Sequence, residues 1–187
     1  MHADNWANKA KQMGYRSRAV FKLEEILQKF DSKKRYQNVL DLGSSPGGWS
    51  QYIVKKYESS IVFAIDILEM EPIDGVHFYQ ESIECIDNIS EIKKLKGSFN
   101  LVISDIAPNL SGIGAIDSEN IYDLNELTVM IAKDYLSIDG ALIMKTFQNS
   151  MLKKLRKEME LFFKVVQTYK PAASKKQSGE IYLFGVK

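Results

Sequence analysis

A lysine stands inside an otherwise apolar run in the last quarter of the chain. The run is ALIMKTF (141–147), and the lysine is Lys145. Because a buried ammonium group without a partner is costly, two arrangements are open. Either the methylene stem carries the ammonium to the surface, or a carboxylate such as Asp105 holds it inside. In the second arrangement burial favours the neutral amine, which can accept a proton.

A segment with three glycines lies between a predicted strand and a predicted helix. Its sequence is DLGSSPGGW (41–49). Glycine lets the backbone approach a ligand closely. The spacing differs from the G-x-G-x-x-G dinucleotide fingerprint, and the segment lacks the Lys-Ser/Thr of a phosphate-binding P-loop. The pattern fits a nucleoside-binding loop, although a tight strand-to-helix turn would also require glycines.

Aspartates end two further predicted strands. Asp66 closes the run IVFAID, about 20 residues past the glycine segment, where an acid can accept hydrogen bonds from both ribose hydroxyls of an adenosine. Asp105 follows the run FNLVIS, and Pro108 stiffens the turn beyond it. Either aspartate alone could cap a loop, but Asp66 together with the glycines favours a nucleoside site. Lys22 and Glu180, taken singly, are more typical of surface charges.

Strand-like and helix-like patterns alternate along the chain. Helices are predicted over 16–30, from Pro46 in a first turn, and over 85–96, 119–137 and 150–162. Strands are predicted over 38–43, 61–66, 76–80, 99–105, 140–147, 163–169 and 180–186. This alternation predicts an α/β, Rossmann-like fold whose mostly parallel seven-stranded sheet has helices on both faces. No helix separates the last two strands, so we expect them to form an antiparallel pair at one edge of the sheet, with an antiparallel edge strand.

In open sheets of this kind the ligand lies outside the carboxyl ends of the strands, where the strand order reverses. This rule gathers the segments that directly follow the strands. They are 43–49, Asp66, 80–82, 105–109 and 145–148. The chemically interesting side chains all belong to this set.

The composition is ordinary for a globular domain, with 187 residues, 45% hydrophobic and 26% charged. We expect one domain over 1–187, in which 1–15 form a flexible basic segment. No apolar run approaches the roughly 20 residues that cross a bilayer, and the N-terminus lacks a secretory signal. The single cysteine, Cys85, excludes an internal disulfide framework. These features predict an intracellular protein, with cytoplasm, nucleolus and organelle all open.

The net charge of +1 conceals basic ends and an acidic centre. Residues 1–35 carry nine Lys or Arg against four Asp or Glu, and 144–187 carry ten against three. Ends that meet on one surface could bind a polyanion, although solvated helix faces would give the same counts. The candidate phosphate contacts are Lys9, Lys11, Arg16, Arg18, Lys170, Lys175 and Lys176.

Five motifs, in order, resemble the FtsJ/RrmJ-type ribose 2′-O-methyltransferases over nearly the whole chain. They are YRSRAVFKL (15–23), DLGSSPGGWSQ (41–51), SDIAPN with SG (104–109, 111–112), KTFQ (145–148) and SGEIY (178–182). The resemblance implies a class I methyltransferase fold, S-adenosyl-L-methionine as methyl donor, S-adenosyl-L-homocysteine as product and no metal. It also implies a monomer acting on RNA, most readily ribosomal RNA of an assembled or assembling large subunit, with no membrane partner.

The resemblance further implies a role for each site residue. The family's catalytic tetrad falls on Lys22, Asp105, Lys145 and Glu180. Lys145 would take the 2′-hydroxyl proton, Asp105 and Glu180 would orient the network, and Lys22 would steer the ribose or a phosphate. The cofactor-binding positions are Gly43, Pro46, Gly47, Gly48, Trp49, Asp66, Ser82 and Asp105. At Ser82 the family often has an aspartate near the adenine amino group, so Ser82 or Glu81 would take that place.

Three other functions stay open. A related 2′-O-methyltransferase that acts on tRNA or on an mRNA cap would share these motifs. A non-catalytic RNA-binding assembly factor would retain the fold, although the intact tetrad favours an enzyme. A dinucleotide-dependent oxidoreductase is disfavoured by the glycine spacing.

Overall fold

A seven-stranded sheet forms the centre of the computed structural model, which describes residues 3–30, 35–175 and 177–187. The strands are β1 Asn38–Leu42, β2 Ile61–Asp66, β3 Val76–Gln80, β4 Phe99–Ser104, β5 Leu136–Phe147, β6 Val165–Tyr169 and β7 Glu180–Val186. Their order across the sheet is β3-β2-β1-β4-β5-β7-β6. Strands β1 to β5 pair in parallel, and β7 runs antiparallel to both β5 and β6. The predicted fold class is confirmed.

The last two strands form the antiparallel pair that the sequence predicted at one edge of the sheet. β7 lies between β5 and β6, and β6 forms the edge. Burial explains this order, because residues 181–185 of β7 are buried whereas β6 is half-buried or exposed along its length. The more apolar strand takes the inner position, where both of its faces are covered.

Helices cover both faces of the sheet. They are α1 Ala3–Gln12, α2 Val20–Phe30, α3 Gly48–Lys56, α4 Ser90–Lys93, α5 Gly114–Tyr135 and α6 Leu152–Met159, with a 3₁₀ helix at Ile83–Asn88. One apolar core lies beneath α5 and α6, and a second lies beneath α2 and α3. Neighbouring strand residues such as Val39 and Leu40 enter opposite cores, as the two-residue period of a strand requires. In the described part of the chain, no helix is long and apolar enough to cross a membrane.

The N-terminal segment differs from its prediction. Within the flexible segment expected at 1–15, the structure has helix α1. Ala10 is 2% exposed, and the Trp6 ring lies 5.0 Å from that of Phe21 on α2. Burial of these side chains stabilises the helix, an effect that a count of basic residues could not show. Met1 and His2 lie outside the described residues.

The helices predicted from Pro46 and over 85–96 also differ from their predictions. Pro46, expected in the first turn of a helix, precedes α3, whose N-cap is Gly47 with a φ of 99°. Glycine adopts this left-handed conformation readily, so the loop continues past Pro46 and the helix begins at Gly48. The helix predicted over 85–96 is instead the 3₁₀ helix followed by the four-residue α4.

Candidate active site

The strand order reverses between β1 and β4, and a cleft opens at the carboxyl ends of these strands. β2 and β3 lie on one side of β1, and β5 lies beyond β4. The cleft is lined by glycine-loop residues, by Asp41 and Asp105, and by Ser17 and Ala19 from the segment before α2. This is the place where open α/β sheets bind their ligands.

Two ion pairs lie beside this cleft and contain all four tetrad residues. Lys22 Nζ is 2.7 Å from Glu180 Oε1, and Lys145 Nζ is 3.2 Å from Asp105 Oδ1. Lys145 Nζ also donates a hydrogen bond to the backbone carbonyl of Asp105. Of the two arrangements open for the lysine of β5, the structure therefore shows the one in which Asp105 holds it.

Tyr182 joins the two pairs into one cluster. Its hydroxyl donates to Asp105 Oδ1 at 2.7 Å, and Lys22 Nζ lies 5.6 Å from the centre of its ring. The side chain is only 1% exposed, and it pairs with Lys145 across the β5–β7 ladder. Burial, then the charges of Asp105 and Glu180, raise the pKa of Tyr182 well above its usual value, so the hydroxyl stays a donor.

Sheet and helix geometry explains how distant residues meet. Asp105 is the first residue after β4, and Glu180 opens β7 opposite Phe147 of β5. Lys22 projects from the first turn of α2 and is 6% exposed. On α5, the side-chain amide of Asn125 donates to the Lys145 carbonyl at 3.0 Å and holds this part of β5 in place.

The Glu180 carboxylate is held in its charged form. Burial raises its pKa, but the hydrogen bond and charge of Lys22, together with Ser174 and Lys145, more than offset that effect. The pKa of Glu180 therefore lies below its ordinary value. Ser174 Oγ contributes by donating to Glu180 Oε1 at 2.8 Å.

Asp41 is a buried acid beneath the cleft that received no role from the sequence. It is 1% exposed, and Ser50 Oγ donates to its Oδ2 at 2.6 Å. Burial raises the pKa of Asp41 to about 7, against the effect of the Ser50 hydrogen bond and with the help of Asp105 and Asp66. A charged residue inside the run NVLDL was a usable signal, of the same kind as the lysine in ALIMKTF.

The glycine loop, residues 43–49, packs tightly against neighbouring side chains of the protein. A Cβ on Gly43, whose φ is 71°, would lie 1.9 Å from a side-chain carbon of Ile106. A Cβ on Gly47 would lie 2.7 Å from Ile73. Ser44 Oγ in the same loop is buried without a hydrogen-bond partner and borders the cleft. An orphaned buried hydroxyl of this kind suits a polar group of a ligand.

Gly43, Pro46, Gly48, Trp49 and Asp105 line the cleft among the predicted cofactor residues. Asp66 ends β2, where its two oxygens accept the backbone N–H groups of Ser45 and Leu68 at 2.8 Å each. Trp49 is 3% exposed, and its indole N–H donates to the Ala19 carbonyl at 2.8 Å. The loop and Asp66 are thus joined into one rigid unit.

Ser82 and Glu81 lie after β3 and are partly engaged with each other. Ser82 Oγ accepts the backbone N–H of Glu84 at 3.3 Å and caps the 3₁₀ helix. The Glu81 carboxylate accepts the backbone N–H of Ser82 at 2.9 Å. The adenine-side role of either residue stays a prediction.

Several basic residues that were predicted to contact RNA bind the protein instead. The Arg16 guanidinium donates to the carbonyls of Glu71, Pro72 and Pro46 at 2.6, 2.8 and 3.3 Å. Arg18 donates to the Ala173 carbonyl at 3.3 Å, and Lys170 donates to the Ser178 carbonyl at 2.7 Å. The Lys9 ammonium lies 4.7 Å from the centre of the Phe21 ring. Lys11 and Lys175 are exposed. Lys176 lies outside the described residues. Arg16 therefore links the glycine loop to the segment that contains Glu71 and Pro72.

In residues 3–30, 35–175 and 177–187, no three His, Cys, Asp or Glu side chains are grouped so that they could hold a metal ion.

The sheet order and the cleft between β1 and β4 define a class I methyltransferase fold. One solved neighbour is the 1,6-didemethyltoxoflavin-N1-methyltransferase of Burkholderia thailandensis, determined with bound S-adenosylhomocysteine. It is 13% identical with a TM-score of 0.64, covering 90% of this chain and 78% of that one. At this identity the likeness concerns the fold alone.

The chain belongs to the FtsJ-like methyltransferase family, whose sequence model matches residues 15–187. It is 40% identical to ribosomal RNA large subunit methyltransferase E of Dechloromonas aromatica, over 97% of this chain and 90% of the relative. The Methanothrix thermoacetophila protein of the same name is 38% identical, over 98% and 72%. A Plasmodium falciparum structure described as a ribosomal RNA methyltransferase is 28% identical, with a TM-score of 0.78 over 92% and 98%. The resemblance given by the five motifs is confirmed.

Proposed function

We propose that this protein transfers a methyl group from S-adenosyl-L-methionine to a ribose 2′-hydroxyl of large-subunit ribosomal RNA. The observation that carries the proposal is the cluster of Lys22, Asp105, Lys145 and Glu180 around Tyr182 at the mouth of a nucleoside-type cleft. The names of the relatives support the substrate. Such a substrate places the protein in an intracellular compartment.

The residues around the cleft fit the cofactor. Gly43 and Gly48 line a cradle without side chains, and the unpartnered Ser44 hydroxyl faces it. The Asp66 oxygens each accept one backbone N–H, which leaves lone pairs for ribose hydroxyls. Asp105 closes the cleft on the side of the tetrad. When bound, S-adenosyl-L-methionine supplies a methyl group that its sulfonium already activates, so the chemistry requires alignment and the transfer of one proton.

Lys145 is positioned to accept that proton. Nζ of Lys145, in its unprotonated form, would accept the hydroxyl proton while the ribose oxygen takes the methyl group that the cofactor would supply. Asp105, 3.2 Å away, orients the amine and then stabilises the ammonium that forms. The side chain of Lys145 is 11% exposed, so little water competes for this geometry.

Lys22 lies on the substrate side of the cluster. Its ammonium is fixed by Glu180 and by the face of the Tyr182 ring, where it can attract the target ribose or a neighbouring phosphate. The exposed Lys11 and Lys175 supply further positive charge near the ends of the chain. Affinity for RNA should therefore fall as salt rises.

Methyl transfer to defined RNAs tests the function directly. Purified protein and tritiated S-adenosyl-L-methionine would be incubated with large ribosomal subunits, naked ribosomal RNA, tRNA and capped mRNA. We expect label in the ribosomal samples and, after nucleotide mapping, on a ribose 2′-oxygen. Label only in tRNA or on a cap, or on a base, would overturn the proposal.

Cofactor binding without transfer to any RNA would instead support a non-catalytic assembly factor. Calorimetry with S-adenosyl-L-homocysteine measures that binding separately. Lys153→Ala, at an exposed lysine on α6, is the matched control for lysine variants of the site.

A further inference from the structure

The loop between β6 and β7 is described over residues 170–175 and 177–179, and it is attached to one face of α2 and to the turn before it. Arg18 Nη1, in that turn, donates to the Ala173 carbonyl at 3.3 Å, and Lys22 pairs with Glu180 at the end of the loop. Glu25 forms the third attachment, to Ala172. Positions 22 and 25 are three residues apart on α2, so they share one side of that helix.

Glu25 makes the densest of these attachments. Its Oε2 and Oε1 lie 2.9 and 3.1 Å from the Ala172 backbone nitrogen, and Oε1 also accepts the hydroxyl of Tyr169. The Tyr169 ring is packed edge-on against Phe30, 5.5 Å away, at the far end of α2. One carboxylate therefore fixes both the end of β6 and the start of the loop.

The same loop reaches the tetrad. Ser174 is 6% exposed and donates to Glu180 Oε1 at 2.8 Å, the oxygen that also accepts Lys22. Exposed Lys175 follows directly. A displacement of the loop would move Ser174 and Lys175 together, and the Glu180 carboxylate would lose the hydrogen bond from Ser174.

We propose that Glu25 is a positioning residue that anchors the β6–β7 loop in the arrangement that binds the RNA substrate. The inference rests on the proposed function, because it concerns the RNA-facing side of the same site. Glu25 contacts neither the cleft nor the tetrad. It acts through Ala172 and Tyr169 on the segment that carries Ser174 and Lys175.

The charge of Glu25 and its contacts with the loop predict opposite changes in RNA affinity when Glu25 is removed. A carboxylate near a surface that binds phosphates repels RNA, so on charge alone its removal should tighten binding. As an anchor, its removal lets the loop leave its bound position, and the apparent affinity falls with the fraction of molecules that stay competent. The sign of the change therefore separates the two explanations.

The experiment compares Glu25→Ala, Glu25→Gln and Glu24→Ala in steady-state methyl transfer to large-subunit ribosomal RNA. Glu24→Ala is the charge-matched control, since Glu24 faces Tyr15 and Tyr52 instead of the loop. We expect Glu25→Ala to raise the KM for RNA about tenfold, the ratio expected when hydrogen bonds to a charged group are lost. Glu25→Gln should raise it less, because its amide oxygen still accepts. Glu24→Ala should leave KM unchanged or lower it.

Two further readouts keep the test independent of folding and of the proposed function. S-adenosyl-L-homocysteine affinity should change less than about twofold in every variant, since the cleft is untouched. Amide hydrogen exchange of a peptide spanning 169–175 should rise in Glu25→Ala without any RNA present. Should Glu25→Ala not fold, the same comparisons on Glu25→Gln decide the matter.

A KM equal to or below that of the wild type, or unchanged exchange in the loop peptide, would overturn the role of Glu25. Inactivity of the wild-type protein on RNA would refute the proposed function instead, while the exchange measurement would still test the anchor.

Discussion

The two ion pairs of the site are held in different ways. Lys22 and Glu180 lie 2.7 Å apart, with side chains 7% and 15% exposed. Lys145 and Asp105 lie 3.2 Å apart, with 11% and 23% exposed. Glu180 receives a further donor from Ser174, whereas Asp105 divides its Oδ1 between Lys145 and the Tyr182 hydroxyl.

This difference separates a short, enclosed pair from a longer and more exposed one. A short, enclosed pair with an extra donor locks both charges in place, which suits a positioning role. In the longer pair, the Tyr182 hydroxyl donates to Asp105 as well, so that carboxylate does not depend on Lys145 alone. The contrast supports the proposed roles, which are positioning for the pair of Lys22 and chemistry for the pair of Lys145.

The largest expected effect follows from removing the proton acceptor. Lys145→Ala should lower the single-turnover rate by about 10³-fold, within the usual range for general base catalysis. Lys145→Arg should be similarly impaired, because a guanidinium is not deprotonated in proteins. Rapid-quench assays with saturating cofactor measure the rate, and calorimetry should show retained binding of S-adenosyl-L-homocysteine. A rate near that of the Lys153→Ala control would contradict the assignment.

The next effect concerns stability and the enclosed pair. Lys22→Met leaves the Glu180 charge buried without its partner and should cost about 3 kcal/mol of unfolding free energy. Lys145→Met should cost less, because Asp105 keeps the Tyr182 hydroxyl and more contact with water. Urea unfolding measures both. Adding Glu180→Gln to Lys22→Met should recover part of the loss, and equal costs for the two lysine variants would remove the contrast.

A smaller effect is expected when the shared donor is removed. Tyr182→Phe keeps the ring but loses the hydrogen bond to Asp105, so the carboxylate that orients Lys145 is held less firmly. We expect a single-turnover rate about tenfold lower, the loss typical of a hydrogen bond to a charged group. Single-turnover assays with saturating cofactor measure this rate. Tyr52→Phe, at another buried tyrosine, should leave the rate unchanged.

The smallest effect is the pH dependence of stability due to Glu180. Its pKa is lower in the folded protein, so its stabilising contribution is complete above the pKa of the unfolded chain. The contribution is lost as the pH falls through the folded value. The thermal unfolding temperatures of Glu180→Gln and the wild type should therefore differ by about 2 °C near neutral pH and converge in acid. A constant difference at all pH values would argue against the locked pair.

Burial on both faces made the inner strands predictable from the sequence. β2 and β7 begin and end where the apolar runs predicted, because strands enclosed between two helix layers are almost continuously hydrophobic. Helix ends were less predictable. The start of α3 depends on the left-handed conformation of Gly47, where Ile73 and Met70 leave no room for a side chain.

The candidate site was predictable where a residue violates its local pattern or matches a family motif. Lys145 satisfied both conditions and Asp105 the second, and the structure brings them together. The role of Tyr182 was not predictable, because an aromatic residue in a strand is ordinary until the strand pairing places it beside Lys145. Arg16 was interpreted as a phosphate contact because its carbonyl partners, 30 to 56 residues away, leave no trace in local sequence.

The carbonyl-bound guanidinium of Arg16 has a consequence for nucleic-acid thermodynamics. The steepness with which affinity declines on a logarithmic salt axis reports how many phosphates the cations of the protein neutralise. Carbonyl oxygens are neutral, so Arg16 keeps its positive charge although three of its five N–H donors are engaged. Lys22 and Lys145 are instead paired with carboxylates, so a tally of cations taken from the sequence would overestimate that steepness.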